Sequence, residues 1–380
     1  MKHSDFSEQR TGTLVPITSI PGAECAFIPH PLPPKWECPQ RLWPLVVEAR
    51  TALASLNGTG KNLPNPSLLI RPLQQREAQK SSSLEGTYTR GEDQLLFQIE
   101  PRYPTSETDP TNAFREVFNY REALRFGAEA SLPMSLRLVR ELHRILLDGV
   151  RGSGSEPGQF RRVQNQIGRP VRFVPAPVNE LPGCLDAFEK YIHEDHAFDP
   201  LVEAFLLHYQ FEAIHPFQDG NGRVGRLLLS LMIAEWCDLD HPWLYMSGFF
   251  DSERDTYIDG LYRVSTEGRW DEWMEFCLRG AVHQSQDAEQ RCRRLLGLNR
   301  EFRERLRNVG GSYRLNLVID GLFDWPLVSI PFLARKFDVS YHTSKADAER
   351  LVAAGILEEL HVNVRPRRFW APGIYDVIYD

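Results

Sequence analysis

The twelve residues 215–226, His-Pro-Phe-Gln-Asp-Gly-Asn-Gly-Arg-Val-Gly-Arg, constrain this chain more than any other stretch. They place an imidazole, a carboxylate, three glycines and two guanidiniums between two apolar segments, residues 201–214 and 227–236. Apolar residues recur at helical spacing upstream, and the downstream run is apolar nearly all round. The spacing therefore predicts two buried helices joined by a short polar loop. A sequence shaped only by folding would not begin the second helix, near Asn221, with Gly222, Arg223, Gly225 and Arg226. Glycine lowers helix propensity, and cations oppose the positive end of the helix dipole.

The same residues make sense as an anion site. Free N–H groups at a helix start bind anions, and Gly220, Gly222 and Gly225 let a ligand come close to backbone. Arg223 and Arg226, three positions apart, can clamp phosphate oxygens from one face. Asp219 is free to hold a Mg²⁺ bridging those phosphates. His215 stands at the rim as a general base for an incoming hydroxyl. A lone HPF or GNG is an ordinary helix connection with a satisfied histidine; the whole combination is not.

The rest of the chain narrows the class. At 380 residues it has room for two or three domains. A formal charge of −7 argues against bulk nucleic-acid binding as its main business. No apolar run reaches the length of a membrane span and the first residues lack a signal-like core, so the chain reads as cytoplasmic, with no membrane partner. Six scattered cysteines without CxxC pairs fit reduced thiols, and Cys237 and Cys277 fall in apolar helical patterns. The cluster His193-Glu194-Asp195-His196 lacks the i, i+4 histidines of a zinc protease and reads as a surface turn. Gly58-Thr59-Gly60-Lys61 has the wrong spacing for a P-loop.

Along the chain, residues 1–44 are proline-rich and read as irregular. Helices are expected over 45–56, ended by Asn57-Gly58, and over 73–85, ended by Gly86. Others are expected over 116–126 and 135–147. Residues 160–173 change period and suit a short β-hairpin. Trp270, Trp273 and Phe276 lie at helical spacing and read as core, and His143 and His208 lie in apolar-flanked helical segments that favour structural roles. A charged helix over 284–307 is broken by Gly310-Gly311. Helices near 315–322, 330–337 and 343–354 follow, then short strands at 356–360 and 369–371 around Arg365-Pro366-Arg367-Arg368.

Residues 215–226 resemble the signature H-P-F-x-[D/E]-G-N-G-R-x-x-R of Fic-domain proteins, matching every fixed position. Ser81-Ser82-Ser83-Leu84-Glu85-Gly86 resembles the [S/T]-x-x-x-E-[G/N] inhibitory motif that many of these proteins carry upstream. Residues 160–173 look like the family's flap, although Gln166 stands where a tryptophan is common. The segment around Tyr257 resembles the part that lines the adenine end of the site, with Glu253-Arg254-Asp255-Thr256-Tyr257-Ile258 in place of the usual Asn-Arg and tyrosine pair. The last three helices and basic hairpin resemble a winged helix-turn-helix.

The resemblance implies a mainly α fold: a Fic-type helical core with a short β-hairpin flap, followed by the C-terminal winged helix. It places an N-terminal region at 1–110 with the inhibitory helix at about 73–86, the core at 111–283, a connecting helix at 284–310 and the winged helix at 311–380. It implies a protein adenylyltransferase acting on a Ser, Thr or Tyr hydroxyl, with ATP as substrate and Mg²⁺ on Asp219. The nucleotide would lie over Gly220, Asn221, Gly222, Arg223, Val224, Gly225 and Arg226, with Tyr257 closing the base pocket. Asn221 and Gly222 would stabilise the α-phosphate, Arg223 the β-phosphate and Arg226 the γ-phosphate, unless Glu85, carried with Ser81 on the inhibitory helix, occupies Arg226.

A target protein, or the chain itself, would dock on the flap, and a homodimer is a further expectation. The same residues leave open removal of AMP, transfer of another nucleotide, phosphocholine or a phosphoryl group, and a nucleotide-sensing DNA-binding regulator. For the last, the helix at 343–354 would enter the major groove, but its balance of acid and base argues against it.

Overall fold

Helices dominate, as the periodicity predicts. The computed structural model describes residues 1–380 except 62–64, 131, 151–155, 195–196, 311, 361–365 and 380. After a hairpin of β1 (Gly12–Pro16) and β2 (Cys25–Pro29) come α1 (Trp43–Lys61), α2 (Ser67–Leu84), α3 (Gly91–Ile99), α4 (Thr111–Glu129) and α5 (Leu136–Leu146). The chain continues through α6 (Leu181–Ile192), α7 (Pro200–Ile214), α8 (Asn221–Trp236), α9 (Ser247–Ser252), α10 (Arg254–Glu267) and α11 (Trp270–Asn308). It closes with α12 (Tyr313–Leu322), β3 (Leu327–Ser329), α13 (Ile330–Lys336), α14 (Tyr341–Ala353), β4 (Glu358–Leu360), β5 (Arg368–Trp370) and α15 (Pro372–Tyr379).

The two helices expected around the polar loop are α7 and α8, packed on each other and buried along almost their whole length. Asp199 caps α7 by accepting from Leu201 N at 2.9 Å, and Pro200 takes the first helical position, where its missing N–H costs nothing. Gly220 ends the loop at φ 78°, a left-handed conformation that disfavours any side chain, and α8 starts at the next residue. Helix α2 lies across α8, α4 and α9 and ends at Leu84 with Glu85 as its C-cap, and Gly86 follows at φ 83° as the expected stop signal.

Several expectations change. The segment 1–44 is not irregular throughout, because β1 and β2 pair in register from Gly12–Pro29 to Pro16–Cys25 and bury Cys25, Ala26 and Phe27. Helix α1 runs through Asn57-Gly58 to Lys61, since its buried face continues to Gly60, where any Cβ would collide with the Trp243 ring. Helix α2 starts six residues earlier than expected, and Pro72 lies inside it. The connecting helix is not separate; α11 is continuous from Trp270, so the core's last helix and the charged stretch are one element. Part of the predicted break, Gly311, lies outside the described residues, as do Asp195, His196 and Arg365.

The expected hairpin at 160–173 reduces to a turn closed by one antiparallel bridge, Ile167 to Phe173. Its first half is engaged elsewhere: Arg161 N donates to Pro216 O, and the Asn165 and Gln164 amides donate to Phe217 O and Pro175 O. At the C-terminus a third strand, β3, lies beside β5 in the order β3-β5-β4. Leu327 and Leu360 of that sheet pack with Leu95 and Ile99 of α3, which joins the C-terminal module to the region beside α2.

Phe217 fixes the polar loop to this framework. Its ring is fully buried and stacks on His143, with centroids 3.7 Å apart and planes 4° from parallel, and Phe160 packs nearby. Phe217→Ala is expected to lower unfolding free energy by roughly 3–5 kcal/mol, measured by urea denaturation; a loss near zero would mean the loop is not anchored by this ring.

Candidate active site

Residue His215 leaves α7 in a left-handed conformation, φ 50° and ψ 62°, unusual for a side chain-bearing residue. Two hydrogen bonds hold it there: its N–H donates to Phe211 O at 3.0 Å, and its carbonyl accepts from Arg161 Nε at 3.0 Å. Arg161 also donates to Ala176 O, and burial lowers its pKa to about 10. The imidazole edge reaches a cavity of about 400 Å³. Protein crowded around the ring depresses its pKa to about 4; Arg161 adds to this, while the Glu212 carbonyl and the carboxylates of Glu85 and Asp219 oppose it. The ring is therefore neutral at pH 7.

Phe217 and Asn221 close the loop on itself. Asn221 Oδ1 accepts from Phe217 N at 2.8 Å and Asn221 Nδ2 donates to Phe217 O at 2.8 Å. The amide of Asn221 is thus engaged in the loop, and its backbone N–H is the group left to meet an anion. The N–H groups of Asn221, Gly222 and Arg223 open α8 and lack intrahelical acceptors. Val224 faces the core with no exposure. Asp219 is half exposed at the loop's edge, accepting from Gly220 N at 2.6 Å and lying 3.6 Å from Arg223.

Arg226 is almost wholly buried, with 2% of its side chain exposed. Its Nε donates to Ser81 Oγ at 2.8 Å, and its Nη2 donates to Ser81 O at 2.9 Å and to Glu85 Oε1 at 2.8 Å. The structure thus brings Ser81, Glu85 and Arg226 together across 145 and 141 residues of sequence. Gly222 makes this approach feasible, because a Cβ there would collide with the Glu85 carboxylate and the Arg226 guanidinium. Burial opposes charge on Glu85, but the guanidiniums of Arg226 and Arg223 outweigh it and hold its pKa below the ordinary value. Burial likewise opposes charge on Arg226, and Glu85 reverses that effect and holds its pKa raised.

The cavity has a charged end and an apolar end. Glu85, His215, Gly222 and Arg226 line the first; Ile167, Phe173, Tyr257, Ile258, Leu261 and Tyr262 line much of the second. Its volume lies in the range of small-molecule sites. Tyr257 is buried on that wall, with its hydroxyl 2.9 Å from His208 Nε2. His208 Nδ1 faces Gly225 O at 3.3 Å, so that nitrogen carries the hydrogen and Tyr257 donates to Nε2. His143 is structural in the same sense, accepting from Gly158 N at 2.8 Å and donating to Asp219 O at 3.1 Å.

Sequence reasoning missed Arg161, Asn165, Glu116 and Arg254. Arg254 donates to Leu84 O at 3.3 Å and so caps the helix end that presents Glu85. Glu116 meets Arg223 at 3.3 Å. Each acts over a separation too long for local pattern to reveal. Glu212 also lines the cavity, and burial raises its pKa to about 7. Among the described residues no cluster of three metal-ligating side chains occurs, and no helix is long and apolar enough to cross a membrane.

Residues 133–233 match the Fic/DOC family, and residues 43–129 match the Fic/DOC family N-terminal region. A 104-residue segment, 27% of the chain, is 36% identical to the protein adenylyltransferase Fic of Drosophila virilis and spans 20% of that protein. A 102-residue segment is 35% identical to the protein of the same name from Aedes aegypti and spans 19% of it, with 26% of this chain covered. Among solved structures, a Fic family protein from Desulfovibrio desulfuricans superposes with a TM-score of 0.58 at 19% identity, covering 90% of this chain and 98% of that one. The C. elegans Fic-1 fragment superposes with a TM-score of 0.51 at 21% identity over 65% of this chain and 74% of that one. At these identities the structural likeness is one of fold.

The loop geometry is testable without any ligand. Asn221→Ala strands the buried N–H of Phe217, whose C=O keeps the Asn165 amide, and is expected to cost about 1–3 kcal/mol of stability. Chemical denaturation measures it; an unchanged midpoint would show that the amide does not organise the loop.

Proposed function

Because this chain belongs to the Fic/DOC family, we propose that it is a protein adenylyltransferase that moves AMP from ATP to a Ser, Thr or Tyr hydroxyl of a target protein, held in check by Glu85. The observation that carries this reading is the Glu85–Arg226 pair, which stands in the same cavity as a neutral His215 and the start of α8.

Arg226 is the natural partner for a terminal phosphate, since a guanidinium binds phosphate in the same forked geometry as a carboxylate. With Glu85 in place that partner is taken. ATP must displace the carboxylate, while the two contacts from Ser81 can remain. The N–H groups at the start of α8 would receive the α-phosphate oxygens, the apolar end of the cavity the base, and Arg223 the β-phosphate. Asp219 fits a nucleotide-borne Mg²⁺: it is a single, half-exposed carboxylate, and such an ion takes one or two carboxylates together with phosphates and water. The ion would neutralise charge on the phosphates.

The target hydroxyl then attacks the α-phosphorus, pyrophosphate leaves, and His215 accepts the hydroxyl proton. The negative phosphates raise the imidazole's affinity for that proton, moving its pKa up toward the working pH. The turn at 160–173 is the surface on which a target segment would lie, and the module from α12 to α15 is read as the winged helix, serving packing rather than DNA.

Two outcomes are expected. Incubated with Mg²⁺ and ATP labelled separately at the α- and γ-phosphates, protein should acquire only the α label, more strongly in Glu85→Gly; His215→Ala should lose it by about 10²–10⁴-fold while staying folded. Label from the γ position would indicate phosphoryl transfer, and none from either would favour AMP removal. The second concerns pH. In Glu85→Gly, which lacks one of the charges that raise the His215 pKa, kcat/KM for MgATP should stay flat from about pH 8 down to about pH 6, because it reports the free enzyme's base. An acidic limb at or above the ordinary histidine value of 6.5 would contradict the geometry of the base.

A further inference from the structure

Both arginines in the first turns of α8 are buried, and each meets a carboxylate, but the two carboxylates are placed differently. Glu85 stands in the cavity with 38% of its side chain exposed, where an incoming phosphate can replace it. Glu116, on α4, is only 4% exposed and lies outside the cavity lining. Its Oε2 faces Arg223 Nη1 at 3.3 Å and accepts from Thr87 Oγ1 at 2.7 Å. The other amino group of Arg223, Nη2, lies 3.6 Å from Asp219 Oδ1 at the loop's edge.

From this arrangement we propose that Glu116 is a positioning residue: it grips the inner side of the Arg223 guanidinium so that Nη2 is presented beside Asp219, where the β-phosphate of a bound nucleotide would lie. The proposal rests on the nucleotide reading above. Its physical ground is the cost of burying a guanidinium, which a carboxylate at hydrogen-bond distance offsets. A carboxylate so deeply buried is not exchanged for a phosphate when nucleotide arrives. Thr87, two residues beyond Glu85, fixes the carboxylate's orientation and ties the exit of α2 to the same arginine. Two similar ion pairs therefore act in opposite senses: Glu85 withholds one arginine from the nucleotide, and Glu116 aims the other at it.

The test uses the full chain carrying Glu85→Gly, so that the cavity is open, and compares ADP with AMP by calorimetry. AMP lacks the β-phosphate and so reports the base pocket and the fold. Glu116→Ala should weaken ADP by about tenfold or more and leave AMP unchanged. Glu116→Gln, which keeps an acceptor for Nη1, should recover much of the loss. Thr87→Val should give a smaller loss of the same kind, and KM for ATP should rise in Glu116→Ala more than kcat falls. Equal weakening of ADP and AMP would reduce Glu116 to a structural role, and tighter ADP binding would make it a second inhibitory carboxylate; either result overturns the proposal. A Glu85→Gly parent that binds ADP no better than AMP would instead remove the nucleotide reading, and this one with it.

Discussion

Arg226 is a full positive charge almost entirely withdrawn from water, and the arrangement of the site follows from how that charge is answered. An unpaired buried guanidinium would cost several kcal/mol. Ser81 supplies two acceptors and Glu85 a third, all from the last turn of α2 or its cap. The need to satisfy Arg226 therefore docks α2 on α8, and Gly222 keeps that surface thin enough for the Glu85 carboxylate to approach. In the proposed reaction a phosphate would take the place of Glu85 while the two Ser81 contacts to Arg226 remained.

The helix that carries Glu85 is held unlike the helices that carry the loop. Helices α7 and α8 bury apolar side chains nearly all round. Helix α2 buries Gln74, Gln75, Glu77, Ser81 and Ser82 beside its apolar residues. Glu77 accepts from Tyr120 on α4 at 2.9 Å and from Ser247 N on α9 at 3.2 Å. Gln75 reaches Tyr379, and Arg71 shares the buried Asp324 with Arg121 of α4. Directional bonds of this kind fix a helix's register more sharply than apolar contact does. They set Glu85 at one place relative to Arg226, and two of them come from the C-terminal module.

The polar loop, its flanking helices and the Gly86 stop were legible in the sequence because each rests on a local signal, periodicity or a glycine at a helix end; the pairing of Glu85 with Arg226, 141 residues apart, came only from the family resemblance. What escaped depends on partners far away in the chain. Arg161 steadies His215 across 54 residues and Glu116 meets Arg223 across 107. Asn57-Gly58 reads locally as a helix end, yet tertiary packing against Trp243 carries α1 past it. The hairpin expected at 160–173 has the right composition, but its hydrogen-bonding groups serve the loop below it.

The central claim is that Glu85 and a terminal phosphate compete for Arg226 while leaving the rest of the nucleotide site alone. Calorimetric titration of wild type and Glu85→Gly with ATP and, separately, with AMP tests it most directly. Glu85→Gly should tighten ATP by roughly tenfold or more with AMP affinity unchanged. Equal effects on both nucleotides, or none on ATP, would contradict it.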